Sequence, residues 1–320
     1  MKKPLALTVL ACFAVIITLF GVGAGVRGAE WSESASMPTA RSELAVAELD
    51  GRIYVAGGIS QWGTSDAFEA YDTAKGVWTR LAPLPKATHH PAMAAANGRV
   101  YLSGGYADIL FRRILRGMWA YDPDANSWRR VASMPERRAA HKLVSLDGKL
   151  YAVGGREPND TPLWSYDPVA NTWDTSHAPL PTGREHLATA VAGGMLYVIG
   201  GRKRDHVNLA TVEAYDPQTD TWTRKADLPL PRGGHAAAAL GGHIHVAGGE
   251  DIDAGEVFAE QWIYDPDADH WRPAPPIPTA RHGVDSATSA GKWYVVGGGT
   301  AAGYWTIVTL TDRVEVFSLR

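Results

Sequence analysis

Six times along the chain an apolar run ends in a double glycine, at Gly57-Gly58, Gly104-Gly105, Gly154-Gly155, Gly200-Gly201, Gly248-Gly249 and Gly297-Gly298. In the first five copies a Tyr-Asp pair follows, and a Trp stands seven residues after the Tyr: Tyr71 and Trp78, Tyr121 and Trp128, Tyr166 and Trp173, Tyr215 and Trp222, Tyr264 and Trp271. Successive copies are 46 to 50 residues apart. A unit this short, holding several β-type runs, cannot bury an apolar face alone and needs neighbours of its own kind.

The third repeat shows how a unit folds. It reads HKLVSLDGKLYAVGG from His141 to Gly155 and then LWSYDPVANTW from Leu163 to Trp173. Asp147-Gly148 joins two apolar stretches, and both residues tolerate the positive φ that a two-residue hairpin turn requires. Asp50-Gly51, Asn97-Gly98, Gly193-Gly194, Gly241-Gly242 and Ala290-Gly291 occupy the same point in the other copies. These stretches predict strands a and b; strand c carries the Tyr, a type I turn follows, and strand d opens at the Trp. A proline seven or eight residues after each Trp ends the strand.

The sixth repeat has Phe317 where the Tyr should stand and no Trp after it, whereas Trp31 precedes Pro38 with the spacing of the other copies. The segment around Trp31 is therefore expected to supply strand d of the last blade, which leaves no edge unpaired at the seam. The reading is all-β: a six-bladed β-propeller over residues 30–320, closed by its N-terminal strand. The spacing resembles the kelch repeat. That resemblance implies fold more than function, since one fold hosts many activities.

The hydrophobic fraction of 45%, the charged fraction of 20% and the formal charge of −3 suit a soluble domain and give no sign of a nucleic-acid surface. Residues 1–29 stand apart. Lys2 and Lys3 precede an uncharged apolar run from Leu5 to Val26, read as a cleaved signal peptide, with Val22-Gly23-Ala24 as a cleavage pattern, or as an uncleaved membrane anchor. Both place the propeller outside the cytoplasm, periplasmic or secreted. The single cysteine, Cys12, lies in this run, so the domain has neither disulfide nor thiol chemistry.

In a four-stranded blade the da and bc loops share one face. The bc loops here vary in length and composition, so function is expected on that face. Sixteen residues before each double glycine stand Arg41, Thr88, Arg138, Arg184, Arg232 and Arg281. The column admits two readings: arginines bonded to neighbouring backbone, or arginines ringing the channel mouth to bind an anionic ligand, which the resemblance also supports. Blade 2 breaks the column with Thr88-His89-His90, and Glu43, His141, Glu185, His186, His235 and His282 stand at nearby positions elsewhere. Of these, His282 and Glu43 are the candidate acid/base pair. No metal or other cofactor is expected.

Trp62 and Trp305 lie in the bc loops of blades 1 and 6, outside the repeating columns. They are candidates to stack on a ligand at the seam, beside Arg41 and Arg281. The Arg202-Lys203-Arg204-Asp205-His206 loop and the acidic loop from Glu250 to Glu256 are expected to pair with each other, and the apolar-basic loop from Ile109 to Arg116 either folds over the face or meets a partner. The expected function is binding of an anionic small molecule, acidic sugar or acidic protein segment. The alternative is a carbohydrate enzyme, since exported bacterial kelch proteins include a sialic-acid mutarotase, which needs an acid/base pair and a carboxylate pocket.

Overall fold

A computed structural model describes residues 28–156 and 161–319. Six four-stranded antiparallel sheets stand around a central channel. Blade 1 runs Ala45–Leu49, Arg52–Ala56, Phe68–Asp72 and Val77–Arg80 as strands a to d. Blades 2 to 5 repeat the order from Ala92, Lys142, Ala188 and Ala236. Blade 6 takes strands a to c from Asp285–Ser289, Lys292–Val296 and Val314–Ser318, and strand d from Glu30–Glu33. Trp31 lies opposite Phe317, as each other Trp lies opposite its Tyr. The closure expected from Trp31 is the one observed. The signal or anchor and Cys12 fall on residues outside those described.

Side chains alternate across each strand, so every sheet packs on two neighbours. Tyr54 packs toward blade 2 with Phe68, Val100 and Tyr121, while Ile53 and Val55 pack toward blade 6 with Tyr294 and Val316. The repeated Tyr and Trp also clasp blade to blade. Trp128 Nε1 donates to the Ala82 carbonyl, 3.1 Å away, at the end of blade 1. The turn residue Asn126 accepts from both Tyr121 Oη and the Ala82 N–H. Asn171, Asp220 and Asp269 do the same in the next three blades.

Two closed belts of backbone hydrogen bonds hold the channel wall, and the double glycines belong to one of them. The second glycine of each pair donates to the carbonyl of the column residue in the next blade: Gly58 to Thr88, Gly105 to Arg138, and so on round to Gly298 and Arg41. Gly57 and Gly58 have φ of 63° and 100°, and a Cβ on Gly57 would run into the Thr88 carbonyl. The other belt lies two residues after the column position, at Glu43, His90, Ala140, His186, Gly234 and Gly283. Each of their N–H groups donates to the carbonyl of its counterpart in the preceding blade, at 2.7 to 3.2 Å, and all six have positive φ.

Candidate functional site

The second belt floors a cavity of about 330 Å³ that opens on the da/bc face. Three belt positions carry no side chain beyond a methyl, whereas Glu43, His90 and His186 project into it. A Cβ on Gly283 would stand 2.8 Å from Glu43 Oε1, so the bare glycine makes room for this carboxylate.

The wall comes from two further repeat positions. One follows the column residue and supplies Glu185 and His282; the other follows the double glycine and supplies Ile59, Tyr106, Arg156, Arg202 and Glu250. These pair by isolated bridges, Glu185 with Arg202 and His282 with Gly299 among them. Two loops cover the cavity. Phe111, held at φ 58° by a loop that Asp108 caps, packs on His89, His90 and Tyr106. Tyr304, on the short 3₁₀ helix Gly303–Val308, meets Phe111 edge-on with centroids 6.3 Å apart.

The ionisable groups form one connected array. Glu43 Oε2 lies 3.2 Å from His90 Nε2 and 3.9 Å from His186 Nε2, and Glu43 Oε1 lies 3.9 Å from His282 Nδ1. His282 Nδ1 stands 3.1 Å from Glu250 Oε2, and Arg202 Nη1 donates to Glu250 Oε1 at 2.6 Å. Glu185 has His186 at 3.5 Å, Arg202 at 3.7 Å and Arg156 at 3.8 Å. Burial opposes the charge on Glu185 and Glu250, yet these neighbours hold both carboxyls below their usual range. Burial would also lower His282, but Glu250 and Glu43 outweigh it and raise its pKa. His90 goes the other way, well below 6.5, through burial and then the charges of His89 and His186.

The column arginines are not part of this cavity. Arg41, Arg138, Arg184, Arg232 and Arg281 are fully buried, at 0% exposure. Arg41 donates to the Gly57 and Ala67 carbonyls and to Glu69, Arg184 to Glu213, and Arg281 to Glu315. Arg138 lies over the Trp164 ring, and Arg232 over Phe258, where burial, only partly offset by Glu260, brings it down to about 10. Buried, and turned to carbonyls and side chains of their own blades, they are not open to a ligand, so the ligand-binding reading of this column is corrected to a scaffold one.

Trp62 and Trp305 are also outside the cavity, at 87% and 74% exposure; Trp62 sits in the turn of a small hairpin. The candidate cavity thus lies apart from the two tryptophans expected at the seam, over the channel. His282 and Glu43 do converge there, with His90 in the floor and His89 behind it. The Arg202–Glu250 ion pair matches the pairing expected of the two charged loops. The position after the double glycine carries a signal beyond the two charged loops: Ile, Tyr, Arg, Arg, Glu and Gly at a point where a structural column would repeat.

The model of the KLHDC2/KLHL20/DRC7 Kelch-repeats domain matches residues 28–155 and 140–318. The chain belongs to the kelch-repeat family. Kelch-like protein 33 of Homo sapiens is 39% identical over 72 residues, 22% of this chain and 13% of that protein. F-box/kelch-repeat protein At1g67480 of Arabidopsis thaliana is 39% identical over 72 residues, 22% of this chain and 19% of that one. The matched stretch thus spans under a fifth of the length of these curated relatives. The solved structure of YjhT superposes on this kelch propeller with a TM-score of 0.74 at 19% identity, over 88% of this chain and 96% of YjhT. At that identity the likeness is one of fold.

Proposed function

We propose that this kelch propeller is a binding module, exported from the cytoplasm, for a small anionic ligand of the acidic-sugar type, held in the cavity over the channel. The observation that carries the reading is the arrangement of Arg156 and Arg202 on one wall and of Phe111 and Tyr304 above. Arg156 is partly exposed, and among the described residues the carboxylate it meets is Glu185, 3.8 Å away. From the cavity wall its planar fork can meet a carboxylate in bidentate fashion. Aromatic rims suit the apolar face of a sugar ring or of an acidic peptide side chain. The test is titration of acidic sugars and acidic peptides against their neutral amides, with the parent and with Arg156→Ala. Loss of a charge-assisted contact is worth about 1.5–3 kcal/mol, a fall of roughly tenfold or more in affinity. Binding of the neutral amide as tightly as the acid, or no effect of Arg156→Ala, would refute it. For export, a reporter fused at the C-terminus is expected to be active only outside the cytoplasm.

A second reading, a carbohydrate enzyme, rests on His282 and Glu43. A raised histidine in the cavity wall and a carboxylate in its floor, 3.9 Å apart, are placed to protonate one oxygen of a bound sugar and deprotonate another. Accelerated exchange between sugar anomers, lost in Glu43→Gln with ligand binding kept, supports this reading. Binding without acceleration leaves the module reading alone.

A further inference from the structure

We propose that Glu43, His90 and His186 bind one late first-row divalent cation, zinc by donor chemistry, in the floor of the cavity. The three stand at one repeat position of blades 1, 2 and 4, on a backbone belt closed by six hydrogen bonds, so their spacing is set by the propeller rather than by a mobile loop. One donor atom from each lies within 4.8 Å of the others. Ligands at about 2.0–2.1 Å around a tetrahedral ion stand roughly 3.3 Å apart. The His90–Glu43 edge, at 3.2 Å, already has that spacing, and only His186, at 3.9 Å from the same carboxylate oxygen, has to close.

The hydrogen-bond pattern says what these atoms lack. The Asp108 carbonyl only accepts, so His89 donates to it from Nε2, 3.0 Å away. With both rings neutral, His89 Nδ1 then accepts from His90 Nδ1, 2.6 Å away, and His90 turns a bare Nε2 toward Glu43 Oε2. A lone pair facing a carboxylate oxygen calls for a positive charge between them. A proton satisfies that edge and leaves out His186, whose side chain is more than nine-tenths buried and whose Nε2 has no hydrogen-bond partner. A divalent ion uses all three lone pairs at once. The surroundings match what a histidine ligand needs behind it: the His89 relay orients His90, and Glu185 Oε1 stands 3.5 Å from His186 Nδ1, the nitrogen facing away from the ion. Two imidazoles and one carboxylate suit zinc among the available cations and leave a fourth position open toward the cavity.

The test is zinc itself. Untagged full-length protein, stripped with a chelator, is titrated with zinc sulfate by calorimetry, with metal content checked by elemental analysis. One ion per chain is expected, with affinity at least tenfold weaker in His186→Ala and in Glu43→Gln and unchanged in His270→Ala, an exposed histidine on another face. Zinc is also expected to raise the melting temperature of the parent in proportion to its saturation, a readout that survives if a belt variant fails to fold. A parent that takes up no zinc, or a folded His186→Ala that binds as tightly as the parent, overturns the site. No sugar or peptide enters the measurement, so its failure leaves the Arg156 reading standing.

Discussion

Lys142 and Asp285 meet across the channel, Nζ to Oδ1 at 2.7 Å, although they open the inner strands of blades 3 and 6 on opposite sides of the ring. The pair crosses the channel below the belt that floors the cavity. Asp285 also accepts from the Val46 N–H, so its carboxylate is tied to three blades. Lys142→Met leaves that carboxylate without its cation and is expected to cost about 1.5–3 kcal/mol. Replacing both residues by apolar ones should cost less than the sum. A double-mutant cycle by urea unfolding measures the coupling, and additive effects would show the pair to be incidental.

Asn126 holds a left-handed turn, φ 46°, and reaches Tyr121 and Ala82 together. Asn126→Gly keeps the backbone freedom and removes the clasp, whereas Asn126→Ala removes both. Each lost hydrogen bond is worth about 1 kcal/mol, so we expect destabilisation in both variants and more in the alanine one. Equal stability of parent and Asn126→Gly would mean that the clasp contributes nothing.

Trp31 ties the last blade shut. Its ring packs on Phe317 and Trp293, with centroids 5.2 and 5.5 Å away, and its Nε1 reaches Gln261 Oε1 and the Pro275 carbonyl of blade 5, each at 3.0 Å. Deleting residues 30–38 exposes an edge strand and opens the core between blades 5 and 6. The expected result is a markedly lower melting temperature and concentration-dependent aggregation; an unchanged melting temperature would contradict the role.

Stability should fall on mild acidification. His141 and His235 lie well below 6.5, through burial and then the charges of Arg138 and Arg232, and burial brings His245 down to about 4 despite the Leu240 carbonyl. His89 and His90 shift the same way. Each stays neutral in the fold while the unfolded chain takes up a proton near pH 6.5, so stability is full above that pH and is lost as pH falls toward 4. His282 is raised, and its contribution is complete below pH 6.5, so it does not offset the loss. Unfolding midpoints measured from pH 7 to 5 should drop, with a shallower slope in His245→Gln. A flat profile would contradict the burial of these rings.

Blade number, strand order and the closure through Trp31 were legible because each repeats as a local pattern: positive-φ pairs at turns, Tyr opposite Trp, proline at strand ends. The site was legible only in part. Glu43 and His282 stood out as departures from a column, yet Arg41 and Arg281 were read two ways, because a regular column of charge looks alike whether its partners are a ligand or the Glu69 and Glu315 of the same blades. Those partners lie 28 and 34 residues away, on a strand whose facing side chains only the register reveals. Arg156, Arg202 and Glu250 were missed as a set because they occupy different blades and converge only when the ring closes.

The two kinds of arginine give the sharpest contrast. Arg281 is fully buried and bonded to Glu315 and to the Gly297 and Val295 carbonyls. Arg281→Ala strands a buried carboxylate and empties a packed volume, a loss of about 3–5 kcal/mol. Arg156 is partly exposed, with Glu185 3.8 Å away, and its removal should move stability by less than about 1 kcal/mol. Melting and ligand titration on the same samples separate them. Arg281→Ala is expected to melt far lower while its folded fraction binds as the parent does, and Arg156→Ala to melt like the parent while binding an acidic ligand at least tenfold more weakly. A folded Arg281→Ala that loses affinity while Arg156→Ala keeps it would return the site to the column and take it away from the cavity wall.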